Sequence, residues 1–223
     1  MGKRIEQQSR PLLLGHRGAR AVWSIPENTL PSFDRALADG CDGFEFDVRM
    51  SADGEAVICH DPQSRELDIA RSQARQLHWL PRLEDVVAQY QDRAFLDIEL
   101  KISGLERATI ELAKKHPPKK GYVISSFLRS VLQALRAADA GIPLGLICET
   151  KEQLRGWKEL GVDYVIPRHD LVNRDLVRRI EDAGKKILVW TVNDPADMLR
   201  LKGWGLDGII SDSTDVLCQT IGE

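Results

Sequence analysis

Two stretches of this chain place carboxylates where a buried strand is normally most apolar. In GFEFDVRM (43–50) Glu45 and Asp47 alternate with Phe44, Phe46 and Val48, and in FLDIELK (95–101) Asp97, Glu99 and Lys101 alternate with Leu96, Ile98 and Leu100. Successive side chains of a strand face opposite ways, so each stretch has one apolar and one charged side. Carboxylates crowded out of water repel one another and lose hydration, a cost removed by protonation or by a cation set among them. Oxygen-only ligands select a hard ion, so Glu45, Asp47 and Glu99 form a candidate site for one divalent cation, Mg²⁺, Ca²⁺ or Mn²⁺, with positions left for water and a substrate oxygen.

Two histidines stand at the ends of other apolar runs: His16 in GHRG (15–18), after PLLLG (11–15), and His60 at the end of AVICH (56–60). Asp53-Gly54 is a good hairpin turn pair, and it returns the chain so that His60 finishes near the acidic side. Imidazoles take and give protons near neutrality, while Arg17 and Lys101 bring positive charge for an anionic group. A dication, two imidazoles and two cations suit attack on a phosphate ester. The ion and Arg17 would stabilise phosphoryl oxygens, one histidine would activate water, and the other would protonate the leaving alcohol.

These residues meet only if the ends of several strands meet. Nine short apolar runs recur, at 11–15, 43–48, 56–60, 94–100, 122–126, 143–147, 163–167, 186–192 and 207–211, and stretches of helical period lie between most of them, such as 29–40, 103–116, 128–141 and 173–184. Gly40, Gly141, Gly161 and Gly184 stand where such helices end, as left-handed caps. The pattern predicts an α/β fold, a (β/α)8 TIM barrel in which the hairpin gives one ring strand and one antiparallel extra strand, followed by a short insertion at about 62–83. An open doubly wound sheet is the alternative. In a barrel the catalytic groups come from the carboxyl ends of the strands, where His16, Glu45, Asp47, Glu99 and Lys101 fall.

The 223 residues are read as a single domain, 1–223, with ample core at 43% apolar content. Thirty-one basic against 34 acidic residues, a net charge of -3, give no general field for gripping a nucleic acid. The start, MGKRIEQQSRPLLLG, is too polar for a signal peptide or a membrane span, so a cytoplasmic protein without stable membrane insertion is expected. The oligomeric state stays open. Cys41, Cys59, Cys148 and Cys218 lie far apart with no C-x-x-C pair, and they are read as buried free thiols. Cys59 adjoins His60 but points the other way.

The motifs HRG (16–18), PENTLPSF (26–33), EFDVR (45–49), HD (60–61), IELK (98–101), ISSF (124–127), WTVN (190–193) and GIISD (208–212) together resemble the glycerophosphodiester phosphodiesterases, in order along most of the chain. The resemblance implies a (β/α)8 barrel that uses a divalent ion to split small-molecule glycerophosphodiesters into sn-glycerol 3-phosphate and an alcohol. Carried over by position, it implies Glu45, Asp47 and Glu99 as metal ligands, His16 and His60 as acid and base, and Arg17 and Lys101 on the phosphate. Glu27 and Asn28 would brace or line the site, and Trp190 would form an apolar wall near the glycerol or the leaving group. Two departures bear on headgroup preference. The stretch between HRG and PENT is slightly long and puts Trp23 within reach of substrate, and the segment after HD is short.

Other signals carry less. GWGLDG (203–208) matches a dinucleotide-binding spacing but precedes a strand instead of following one. His78, His116 and His169 are read as surface or loop residues, and Trp79, Trp157 and Trp204 as packing helices onto the barrel. KKHPPKK (114–120) reads as a solvated helix end, and Ser125 and Ser126 as lining the mouth. Three competing functions remain. They are a Schiff-base lyase with Lys101 as nucleophile, a non-catalytic phosphodiester-binding module, and a lysophospholipase D-like enzyme whose mouth is edged by Trp23, Phe127 and Trp190.

Overall fold

A computed structural model gives the fold and describes residues 10–222. Residues 1–9, part of the segment read for a leader, lie outside the described residues. Eight strands close a parallel ring in chain order: β1 (Leu12–Gly15), β2 (Gly43–Met50), then β6 (Phe95–Leu100), β7 (Tyr122–Ser126), β8 (Leu144–Cys148), β9 (Tyr164–Pro167), β10 (Lys186–Val189) and β11 (Gly208–Ser211), with β1 paired to both β11 and β2. A further strand, β3 (Ala56–Ile58), pairs antiparallel with β2 outside the ring. The insertion is a small hairpin, β4 (Gln63–Ser64) with β5 (Leu67–Asp68), and two 3₁₀ turns. Helices α1 (Leu30–Ala38), α2 (Leu83–Tyr90), α3 (Glu106–Lys115), α4 (Arg129–Ala138), α5 (Lys151–Leu154), α6 (Arg174–Glu181), α7 (Pro195–Lys202) and α8 (Thr214–Ile221) alternate with the ring strands. The structure is thus the closed barrel and not the open sheet.

The alternation in GFEFDV is what builds the outer layer. Phe44 and Phe46 point away from the ring and meet Phe33 of α1 and Tyr90 of α2, with Phe33 and Phe44 stacked at 4.2 Å and Tyr90 edge-on to Phe44 at 4.9 Å. Each buried ring contributes about 2 kcal/mol by area alone, so this aromatic knot anchors the strand that carries Glu45 and Asp47. Gly43 is needed for the neighbouring contact, because a Cβ there would sit 1.9 Å from the Phe95 carbonyl oxygen. Thr29 caps α1 by accepting from the Ser32 amide at 3.4 Å, and Asn173 caps α6 through the Leu176 amide at 2.9 Å.

Several boundaries differ from the sequence reading. The hairpin turn is a five-residue loop, 51–55, because Ser51 ties it shut: its amide donates to the Glu55 carbonyl and its hydroxyl to Asp53 Oδ1. Helix α4 stops at Ala138, where Asp139 turns extended, and Gly141 is not left-handed, unlike Gly40, Gly161 and Gly184. Strand β10 ends at Val189, shorter than the run 186–192, with one further parallel bridge between Arg168 and Trp190. Trp79 does not join a helix to the barrel. It packs with Cys59, Leu67 and Leu77 inside the insertion, under the Arg65 guanidinium. Ser126 faces outward, its hydroxyl donating to the Leu100 carbonyl, and only Ser125 points inward. Of the four free cysteines, Cys41 and Cys148 are buried, whereas Cys59 and Cys218 are half-buried.

Candidate active site

The inside of the ring is filled in tiers, and the site is the upper one. Leu14, Phe95, Val123, Leu188 and Ile210 form an apolar floor. Two residues further along the same strands, the same inward face presents His16, Asp97, Ser125, Trp190 and Asp212. Because β2 and β6 are parallel and in register, Glu45 sits beside Asp97 and Asp47 beside Glu99. Carboxylate oxygens of Glu45, Asp47 and Glu99 all lie within 4.8 Å of one another, and all three residues are buried. Glu45 and Glu99 open into a cavity of about 560 Å³ lined also by His16, His60, Lys101, Phe127 and Trp190, with Asp47 behind them. A larger cavity of about 960 Å³, at the amino ends of the strands near Leu12 and Tyr122, holds none of these groups.

Two residues in left-handed backbone fix the front of the site. Arg17 has φ 52° and Asn28 φ 58°, each a conformation costing roughly 1–2 kcal/mol for an ordinary side chain. Hydrogen bonds hold them there. The Arg17 amide donates to Glu45 Oε2 at 3.0 Å, the Asn28 amide donates to the Arg17 carbonyl at 3.0 Å, and Asn28 Nδ2 donates to Asp47 Oδ2 at 2.8 Å. Gly18, at φ 81°, lets the turn press against Ser32, where a Cβ would sit 2.4 Å from its hydroxyl. Glu27 bridges the Arg17 guanidinium at 2.8 Å and that of Arg20 at 2.7 Å.

The charges divide unevenly. Asp47 lies between two cations, Lys101 Nζ at 3.2 Å and Arg17 Nε at 3.3 Å. Burial alone would raise its pKa, but these cations and the Asn28 amide outweigh it and hold Asp47 below its ordinary value. Glu45 lacks such cover. Burial, with Asp47, Glu99 and Asp97 nearby, pushes it well above the carboxylate range, and its Oε1 is a buried acceptor without a hydrogen bond. Burial and the Asp47 charge likewise push Glu99 up to about 8, although Lys101 Nζ is 2.7 Å from its Oε1. Burial lifts Asp97 to about 7 against the Ser125 hydroxyl, which donates to it at 2.5 Å. An unpartnered buried carboxylate oxygen facing two more carboxylates is the donor set of a hard divalent cation, which these three residues can hold.

Both imidazoles are oriented from behind. His16 Nδ1 is 2.7 Å from Asp212 Oδ1, which leaves Nε2 facing the cavity, 3.9 Å from Glu45 Oε2. His60 Nδ1 is 2.7 Å from Asp61 Oδ1, and burial lowers the His60 pKa below 6.5 despite the attraction of Asp47. A carboxylate on Nδ1 fixes the tautomer and balances charge when Nε2 takes a proton. Asp212 is itself held well below the carboxylate range: burial opposes this, but His16, Asn193 and Arg20 prevail. Asp212, Arg20 and Asn193 were not among the residues the sequence singled out. The alternation that carries Ile210 inward, followed one step past the strand, reaches Asp212 inside GIISD.

At the rim, Phe127 and Trp190 meet edge to face at 5.6 Å, and Trp190 Nε1 donates to the Ile166 carbonyl at 2.9 Å. Trp23 does not join them. It is 94% exposed, on a turn closed by the Ile25 amide and the Val22 carbonyl. Lys101 is paired with Glu99 and Asp47, which raise its pKa against the effect of burial and favour the ammonium over the free amine that a Schiff base requires.

Known proteins resemble this chain in sequence and fold. The family model described as the glycerophosphoryl diester phosphodiesterase family matches residues 16–79 and 70–216. A glycerophosphodiester phosphodiesterase of Caldanaerobacter subterraneus subsp. tengcongensis is 27% identical, over 95% of this chain and 98% of its own length. The structure of an Oleispira antarctica phosphodiesterase in complex with the product sn-glycerol-3-phosphate superposes with a TM-score of 0.83 at 27% identity, covering 96% of this chain and 98% of that one. A glycerophosphodiester phosphodiesterase from Thermotoga maritima gives 0.81 at 26% identity, covering 95% and 98%. With that match running from the first histidine to beyond Asp212, the chain belongs to the glycerophosphoryl diester phosphodiesterase family.

Proposed function

We propose that the protein hydrolyses glycerophosphodiesters to sn-glycerol 3-phosphate and an alcohol, with Glu45, Asp47 and Glu99 holding one Mg²⁺, Ca²⁺ or Mn²⁺ and His16 and His60 moving the protons. The observation that carries this reading is the buried, unpartnered Glu45 Oε1 among three carboxylates in a cavity that both imidazoles face. When bound, the ion supplies positive charge to a phosphoryl oxygen. Arg17 and Lys101, already leaning on Asp47, turn their remaining N–H groups to the phosphate. His60, neutral at pH 7, accepts the proton of the attacking hydroxyl, and His16 exchanges the second proton at Nε2 with Asp212 behind it. Glu27 and Asn28 keep Arg17 and Asp47 in place. The apolar Phe127 and Trp190 side receives the uncharged part of the substrate.

The same cavity argues for a small-molecule substrate in place of a polymer, and among the described residues no helix is long and apolar enough to cross a membrane. Purified protein freed of metal, assayed for glycerol 3-phosphate from glycerophosphocholine by a coupled dehydrogenase, is expected to be inactive and to regain turnover on adding Mg²⁺, Ca²⁺ or Mn²⁺. Equal rates with and without chelator would overturn the metal reading. No glycerol 3-phosphate from any glycerophosphodiester would overturn the reaction itself.

A further inference from the structure

Two thiols outside the active site face each other across the seam of the barrel. Cys41 lies between α1 and β2, two residues before the strand that carries Glu45. Cys218 sits on α8, the helix that begins just after Asp212. Although 177 positions apart, their sulfurs are 3.6 Å from each other. The surroundings are firmly tied. Thr214 Oγ1 donates to Asp39 Oδ2 at 2.6 Å, and Arg10 forms a two-pronged pair with Asp42 at 2.6 and 2.9 Å. Gly40 leaves space beside Cys218, since a Cβ at Gly40 would meet its Sγ only at an ordinary 3.6 Å. A disulfide needs the sulfurs at about 2.05 Å, so the two side chains must rotate toward each other for the bond to form.

We propose that Cys41 and Cys218 are an oxidisable thiol pair, a modification site for peroxides at which a reversible disulfide fastens the last helix to the start of β2. Cys218 is the attacking sulfur. It is the half-buried member, and its contact with Cys41 holds it below the usual thiol range, whereas that contact and then burial push Cys41 up. The alternatives are poorer nucleophiles, with burial raising Cys148 to about 12 and raising Cys59 as well.

The Cys218 sulfur attacks one peroxide oxygen, the O–O bond breaks, and water leaves, giving a sulfenic acid. The Cys41 sulfur then attacks that sulfur, the S–O bond breaks, and the departing hydroxide takes the Cys41 proton to form a second water. Two thiols and hydrogen peroxide thus become one disulfide and two waters. The resulting loop runs from Cys41 to Cys218 and encloses every ring strand from β2 to β11, with β1 outside it. It therefore restrains the unfolded chain strongly.

The test treats the full-length protein with hydrogen peroxide at low molar excess, quenches it, and reads intact mass, free thiols in denaturant and cross-linked peptides. Expected are a mass loss of about 2 Da, a fall from four free thiols to two, one peptide joining Cys41 to Cys218, and reversal by dithiothreitol. The melting temperature of the oxidised form is expected to rise by about 10 °C. Cys218→Ser, at a half-buried position outside the active site, is expected to turn over normally and show none of these changes. Retention of all four reactive thiols, or oxygen added to Cys218 without the cross-link, would overturn the proposal.

Discussion

Glu45→Gln is expected to lower glycerol 3-phosphate release by about 10³-fold or more while the barrel stays folded. The reason is local. The Gln carbonyl keeps the bond from the Arg17 amide, but the unpartnered oxygen that completes the donor set becomes an amide nitrogen. Stability should move the other way. Carboxylates raised in the folded state bind protons that the unfolded chain has already released, so they favour folding at low pH and oppose it once the pH passes their folded values. For Glu99 that window runs from the ordinary 4.5 to about 8, and for Asp97 from 3.8 to about 7. Metal-free wild type is therefore expected to lose stability as pH rises from 4.5 to 8, and Glu45→Gln to melt higher than wild type at the top of that range. Thermal melts in chelator across the range check this. A variant that melts lower than wild type at every pH would show that Glu45 serves packing and not an ion.

Replacing either imidazole is expected to cost about 10²–10⁴-fold in kcat, the usual worth of a positioned proton-transfer group. His60→Ala and His16→Ala should still bind glycerol 3-phosphate, because Arg17 and Lys101 hold the phosphate independently of either ring. Their losses should not multiply in the double variant if the two act within one reaction. Lost activity with intact binding also separates an enzyme from a phosphodiester-binding module. As pH falls, wild-type kcat/KM should decline only below 6.5, since burial keeps His60 neutral down to that point. Asp212→Asn should reduce kcat on the same scale, by removing the negative charge that faces His16 Nδ1 and balances the protonated ring, and should alter the pH profile, which a merely structural residue would not. A double variant that loses the product of the two single losses, or an unchanged profile in Asp212→Asn, would count against these roles.

Period-two alternation made the acid cluster legible from sequence, because it fixes which side of a strand each residue occupies and parallel register then sets Glu45 beside Asp97 and Asp47 beside Glu99. What it does not carry is contact between distant loops. Asp212 behind His16 is 196 positions away, and Cys41 meets Cys218 across the closed ring, so their spacing along the chain concealed both. Left-handed backbone at Arg17 and Asn28 was hidden for a different reason. Propensity disfavours it at Arg17 and merely permits it at Asn28, and hydrogen bonds to Glu45, Asp47 and the Arg17 carbonyl sustain it. Trp79 shows the limit of reading an aromatic residue by its neighbours, for its partners belong to the insertion hairpin and not to a helix.

The central claim is that Glu45, Asp47 and Glu99 together hold a divalent cation in front of His16 and His60. Crystals grown with Mn²⁺ and measured for anomalous scattering test it directly. The account predicts a single strong peak among those three carboxylates, absent from Glu45→Gln crystals prepared alike. A peak held by other residues, or an empty cluster in a protein that turns over in the same Mn²⁺ solution, would contradict it.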